Sequence, residues 1–335
     1  MAPWISRSHP GQNSRADSRF WRKLIFWALL WSLSWTLAIF APLPGWARVA
    51  LAFLNILTHP FIALNVAHDA NHNAITKHPL GSFLLKRSFD LIGISSFCWR
   101  LNHNRLHHPH TSVPGVDTTA DGKKILRLNE TEPRYFFHRL QHLYAPLAYG
   151  LVTLNYVFLR DFRDFYRLAR ERRVRWLVPF LECLGFKLLY LSLMLVLPMR
   201  LLPYSPWAIL LTFITAHFLL GQIIILIQVP HFNLLSRPIS ASDVPKERDD
   251  ELAFVLRHTT DMAPQSRLWS WLLGGTNTHI IHHLYPQVCH SYYPEMTKEL
   301  QDFCQENNLG YNHYESITES YGSHYRYLRR LGQGT

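Results

Sequence analysis

Cysteine is scarce and acidic residues are outnumbered in this chain of 335 residues, and no internal repeat or low-complexity tract stands out. The four cysteines, Cys98, Cys183, Cys289 and Cys304, form no Cys-x-x-Cys pair and no framework spacing. That argues against a disulfide scaffold and fits a reducing compartment. The Glu-x-x-His motif of carboxylate-ligated two-metal bundles is absent as well. Asp and Glu number 23 against 34 Lys and Arg, a formal net charge of +11. These cations are scattered, without a recognition helix or an RNA-binding signature, so nucleic acid is not an expected partner. Anionic lipid and acidic protein or substrate partners fit better.

What the chain does have is apolar mass, with 48% of all residues hydrophobic and 14% of all residues aromatic, which excludes disorder. A mean hydropathy of -0.05 hides segregation into long apolar blocks and His/Arg-rich blocks. Four blocks have the length of membrane helices: about 24 to 43, 47 to 66, 176 to 202 and 207 to 229. Trp21, Trp46, Trp176 and Trp207 stand near their ends, as in an interfacial belt. Pro42, Pro44 and Gly45 break the first pair and Pro203 to Pro206 the second, giving two helical hairpins. The hairpin tips carry Arg48 and Arg200 alone, whereas the tail holds Arg7, Arg15, Arg19, Arg22 and Lys23 and the segment 67 to 175 holds many more. Positive-inside bias therefore places both termini and both long polar segments in the cytosol. The block after the tail is too long for a signal-peptide core and reads as a retained anchor. Segments 84 to 98 and 141 to 160 are apolar but short or interrupted, and read as interfacial or re-entrant helices. The expected fold is all-α integral membrane: a basic tail, 1 to 23, then a single domain, 24 to 335, with a cytosolic helical cap from 67 to 175 and from 230 to 335.

Twenty histidines are clustered rather than dispersed. His68 and His72 form an HxxxH box, His103, His107 and His108 an HxxxHH box, and His279, His282 and His283 an HxxHH box. Spacings of three and four put imidazoles on one helical face, so their nitrogens can converge on a metal. A single such pair is an ordinary feature; three boxes that the topology gathers on one membrane face are not. His231, at the same mouth of the fourth block, is a further contributor or a helix-end histidine facing the dipole. Eight or nine imidazoles exceed the needs of one ion and imply two metals. Two redox-active irons suit this set better than zinc, with a membrane zinc hydrolase left open. Such a neutral shell needs compensating charge nearby. Asp69 and Asp117 are candidates, against ordinary readings as a helix-end group and a loop residue. Asn277, two residues before His279, could orient the third box or cap its helix.

The stretches around the boxes, HDANHNAITKHP, FDLIGISSFCWRLNHNRLHHPHTSVPGVD and WSWLLGGTNTHIIHHLYPQVCHSYYP, carry a further signal. From about 60 to 300 the chain resembles membrane fatty-acid desaturases, especially bacterial acyl-lipid or acyl-CoA enzymes related to front-end desaturases. The resemblance implies a bundle of four membrane helices under a cytosolic cap and a di-iron centre held by His68, His72, His103, His107, His108, His231, His279, His282 and His283. Three departures accompany it. His279 stands where close relatives often have Gln, Thr118-Thr119 replaces the usual acid after Asp117, and no fused haem domain is present in the short tail.

The expected reaction is insertion of a double bond into a long acyl chain, linked to lipid, CoA or carrier protein. It would use dioxygen and electrons from a separate ferredoxin or cytochrome b5-type donor. A hydroxylase or acetylenase would use the same ligands, and a zinc-binding or non-enzymatic membrane receptor is the rival from another class. The richest basic clusters, Lys123, Lys124 and Arg127, and Arg170, Arg172, Arg173 and Arg175, suit donor docking or anionic headgroups.

Overall fold

A computed structural model describes residues 14 to 119, 124 to 171, 175 to 236 and 249 to 334. Arg7, Lys123, Arg172 and Arg173 of the basic clusters lie outside them. The described residues are mostly helical with almost no strand, and include four long apolar helices. These are α1 (Ser18–Phe40), α2 (Gly45–Asn71) and, after an intervening polar region, two more of the same kind. That region contains α3 (Pro79–Lys86), α4 (Ser96–Asn102), α5 (Gln141–Gly150) and α6 (Asp161–Glu171). The second long pair is α7 (Leu177–Leu201) and α8 (Pro206–Ile227). The C-terminal third adds α9 (Asp249–His258), α10 (Arg267–Leu272), α11 (His279–Leu284), α12 (Tyr293–Glu306) and α13 (Ile317–Gln333). One two-residue parallel pairing, Asp261 with His313 and Met262 with Tyr314, ties the end of α9 to the start of α13.

Local chemistry sets the helix limits. Asp17 caps α1 by accepting from the Arg19 and Phe20 amides, so the helix begins six residues before the apolar block. Pro42 and Pro44 stop it, and Arg48 then donates to the carbonyls of Ala38, Ile39 and Leu43, closing the open C-terminus of α1. Ser205 and Pro206 start α8 as cap and first residue. Gly45 abuts the Tyr204 hydroxyl, so both hairpin tips meet at the same end of the bundle.

The four helices are not equivalent. Half of the apolar window of α2 and 39% of that of α8 is buried, against 28% for α1 and 22% for α7. The inner helices, α2 and α8, are those that lead directly into histidine segments. Polar side chains lock the bundle where lipid offers no hydrogen bonds. Asn55 donates to Trp31 O (2.6 Å), Trp35 donates to Leu193 O (3.2 Å), and Tyr190 pairs with His217 (2.8 Å). Lys187 reaches Gly93 O, Tyr156 O and the Asp161 carboxylate at 2.8 to 2.9 Å. The expected apolar segment at 84 to 98 is broken into short helices, because Gly93 takes φ +84° and ends the run before Ser95 caps α4. The second such segment, beginning at α5, packs along α8. There Gly221 lies so close to Tyr149 O that an added Cβ would sit 2.2 Å from it. Trp46 and Trp207 are strongly exposed at the hairpin end, as a belt requires, while Trp176 packs into the cluster of Phe165 and Phe180.

Candidate metal centre

The site lies at the end of the bundle away from the hairpin tips. A wide π-helical turn at Ala63–Ala67 rotates the end of α2, so that His68 and His72 project across the bundle mouth. A second such turn, His103–His107, follows α4. The third box is α11 itself. Asp261 fixes its start by accepting from the Ile280 amide (2.8 Å), and Ile280 and Ile281 anchor its other face in the core.

All nine histidines expected from the sequence come together, but not box by box. His68, His72, His103 and His282 place one ligand atom each within 4.8 Å of one another, and His107, His231, His279 and His283 do the same in a second group. The second and third boxes are therefore each divided between two groups. His108 lies against both, with its ring 4.8 Å from His72, 4.7 Å from His282 and 4.6 Å from His283.

The nitrogens of neighbouring rings face each other across hydrogen-bond distances. His103 and His108 meet Nε2 to Nε2 at 3.1 Å, as do His231 and His283, and His231 and His279 stand at 3.0 Å. Burial, reinforced by neighbouring imidazoles, holds His72, His103, His108, His231, His282 and His283 well below the ordinary imidazole pKa, and takes His279 down to about 3. Those seven rings are thus neutral. Both nitrogens of His68, and Nε2 of His72 and of His282, are buried with no hydrogen-bond partner. Buried polar atoms in native proteins are nearly always satisfied, so these converging nitrogens fit an electrophile, and two groups of four imidazoles fit two metal ions.

Four of the outward nitrogens are held by hydrogen bonds, the arrangement that metal-ligating histidines favour. His107 Nδ1 donates to Asp117 (2.9 Å) and His279 Nδ1 to Thr276 O (3.1 Å). His283 Nδ1 meets the Thr111 hydroxyl (3.2 Å) and His282 Nδ1 the Tyr293 hydroxyl (3.4 Å). Burial raises the Asp117 pKa, but the His107 contact, Thr119 and its amide outweigh it and hold the carboxyl at about 2. Asp69 lies 3.6 Å from His68 and accepts from both the amide (2.9 Å) and the Nδ1 (2.8 Å) of His290. The Asn277 side chain, by contrast, donates to Ala263 O and Ser270 Oγ and touches no box histidine. It does not cap α11 either, whose N-cap is Thr278, so Asn277 braces the loop before the box.

Sequence reasoning missed two contributors. Lys23, read as a flanking cation, is buried with its ammonium 3.0 Å from His290 Nε2, which links α1 to Asp69. Asp261 carried no spacing signal, because its partners, Ile280 and Tyr311, are far along the chain.

An all-helical protein with four spanning-length helices over paired clusters of buried histidine is a defined class, and comparison with known proteins identifies it. Residues 44 to 315 match the model of the fatty acid desaturase family, and the chain belongs to that family. It is 29% identical to an sn-1 linoleoyl-lipid 6-desaturase of Synechocystis, over 92% of this chain and 87% of the relative. It is 30% identical to an acyl-lipid (8-3)-desaturase of Physcomitrium patens, over 81% of this chain and 58% of that longer relative. A second sn-1 linoleoyl-lipid 6-desaturase, from Arthrospira platensis, is 26% identical over 90% of this chain. The protein is accordingly a fatty-acyl desaturase, an oxidoreductase acting on acyl chains in a lipid environment.

Proposed function

We propose that His68, His72, His103 and His282 hold one iron, His107, His231, His279 and His283 a second, and His108 completes the cage between them. The reading is carried by the convergence of eight buried imidazoles in two groups, in the first of which inner nitrogens have no hydrogen-bond partner. A pair of irons supplies, when bound, the oxygen chemistry that hydrogen removal from an unactivated methylene demands. The protein's own part is to place and protect. Asp117, Thr276, Thr111 and Tyr293 fix ring orientation, so that Nε2 of their histidines points inward. Asp69 and Asp117 bring negative charge to a ligand shell that has none. Apolar packing around the rings, with Trp99 stacked 4.2 Å from His103, excludes water.

The substrate in this reading is a long acyl chain esterified in a membrane lipid, the linkage that the relatives' names give for their substrates. The four-helix bundle belongs to the lipid phase, and the histidine end faces the cytosol by the positive-inside distribution of Lys and Arg. Chain 24 to 335 acts as one domain, and electrons come from a separate ferredoxin or cytochrome b5-type donor.

The test is metal analysis of the purified protein combined with fatty-acid profiling of cells that express it. About two irons per chain and new double bonds in lipid-esterified chains are expected. Stoichiometric zinc, or oxygenated chains with unchanged unsaturation, would refute the reading.

A further inference from the structure

Beside the metal centre, on the same end of the bundle, a pocket of about 600 Å³ opens between the N-terminal tail, the loop after the first box and α3. It is lined by Arg15, Lys77, Lys86 and Arg100, with Asn73, Thr76 and Ser82, and no carboxylate is among its lining residues. Among the described residues none of the four cations forms a salt bridge. Arg15 Nη1 is buried without a hydrogen-bond partner. Burial first, and then the charge of Arg100, lowers the Lys86 pKa. Asp90, the acid that acts most on Arg100, is already engaged by Arg87 (3.6 Å) and the Ser96 amide (3.1 Å). Three of the four cations thus have no acidic partner in the pocket, Arg100 only distant ones in Asp90 and Glu182, in a concave, partly desolvated place.

The walls are held in position. The Ala16 amide donates to Ile75 O and the Cys289 amide to Ser14 O, so the stretch bearing Arg15 is pinned to the first-box loop and to the C-terminal region. Arg100 donates to the Asn71 side chain (2.8 Å), one residue before His72. Helix α3, which forms one wall, exposes Leu80, Phe83 and Leu84 on a single face. A short helix with such a face suits the membrane interface, at the level of lipid headgroups.

We propose that this pocket binds the phosphate headgroup of an anionic membrane lipid, and that it seats the headgroup of the acyl-lipid substrate beside the first histidine box. In the second half it rests on the acyl-lipid reading above. Arg15, Lys77, Lys86 and Arg100 supply the charge, and Asn73, Thr76 and Ser82 supply uncharged hydrogen-bonding groups for phosphate or glycerol oxygens.

The test uses the full-length protein in detergent, titrated with dioleoyl-phosphatidylglycerol, dioleoyl-phosphatidylcholine or inorganic phosphate while thermal unfolding is followed. Lys77→Gln combined with Lys86→Gln removes two pocket charges. Lys298→Gln with Arg329→Gln removes two exposed charges elsewhere and controls for general attraction to anionic lipid. Expected is a phosphatidylglycerol-dependent rise in Tm that phosphatidylcholine does not give, weakened at least about tenfold in apparent affinity in the pocket variant and less than about twofold in the control. Equal losses in both variants, or equal response to the two lipids, overturns the proposal. A response to inorganic phosphate as large as that to phosphatidylglycerol assigns a free-anion site and overturns the lipid assignment. Because binding is read without turnover, failure here leaves the desaturase reading standing. In reconstituted turnover the pocket variant raises KM for phosphatidylglycerol-linked chains while keeping kcat; a fall in kcat alone overturns the substrate half.

Discussion

Two sets of buried histidine in this molecule look alike in a list of sequence positions and differ in every physical respect. His138, His217 and His324 are closed units. His138 accepts from the Tyr135 amide and donates to Lys124 O, His217 sits between Tyr190 and Thr153, and His324 between Tyr149 and Phe232 O. Each ring uses both nitrogens and ties distant segments together. The box histidines are left open on the inner side: one nitrogen is anchored, where it is anchored at all, and the other meets only further imidazole. In these three structural rings the second nitrogen has a tyrosine, threonine or carbonyl partner, whereas in the box histidines it faces other imidazoles or has no partner.

The sharpest way to break that contrast is to exchange members of the two sets. His282→Asn is expected to reduce desaturation at least 100-fold and to lower bound iron, read by product analysis and metal content, because four ligands on one ion become three. His217→Asn leaves iron in place and costs about 1 to 3 kcal/mol in stability, as partners Tyr190 and Thr153 lose a buried hydrogen bond. Iron loss in both variants would erase the distinction.

A smaller effect is expected one bond out. Asp117→Asn removes the charge facing His107 while keeping the side chain's size, and iron affinity should fall about 10- to 100-fold in chelator competition. Smaller again is Lys23→Met, which takes away the group behind His290 and Asp69 without touching a ligand. We expect a roughly threefold to tenfold loss of activity with iron retained, and undiminished turnover would reduce Lys23 to a packing role.

A prediction on stability rather than activity concerns Asp261, whose carboxyl is pushed up to about 7, chiefly by burial and against the stabilising amides and Tyr311. Its folded pKa lies above its unfolded value near 3.8, so between those values the folded chain binds more protons. Stability should therefore decline as pH rises from about 4 to 7, by at most about 1.4 kcal/mol per pH unit from this group, and Asp261→Asn should flatten that slope in thermal unfolding. An unchanged slope would place the titration elsewhere.

Much of this was legible in the chain itself. Apolar length against bilayer thickness marked four helices, and proline and glycine at the tips paired them into hairpins, because these effects act within a few residues. The histidine spacings and their placement at one end of the hairpins nominated all nine rings that the structure gathers. Helix ends were misjudged by a few residues because capping by Asp17 and the continuation of α2 through its π-turn outlast the apolar run.

The sequence by itself determined which side chains could meet, since i,i+3 and i,i+4 spacing and the end of an apolar run are local properties. Only the tertiary structure decided how they were shared. The division of His103 from His107, and of His282 from its neighbours, follows from how the helix carrying each box is rotated and crossed by the others. The same holds for Lys23, Asp261 and the four cations beside the first box. Their significance rests on groups far away in the chain, which spacing cannot specify and packing does.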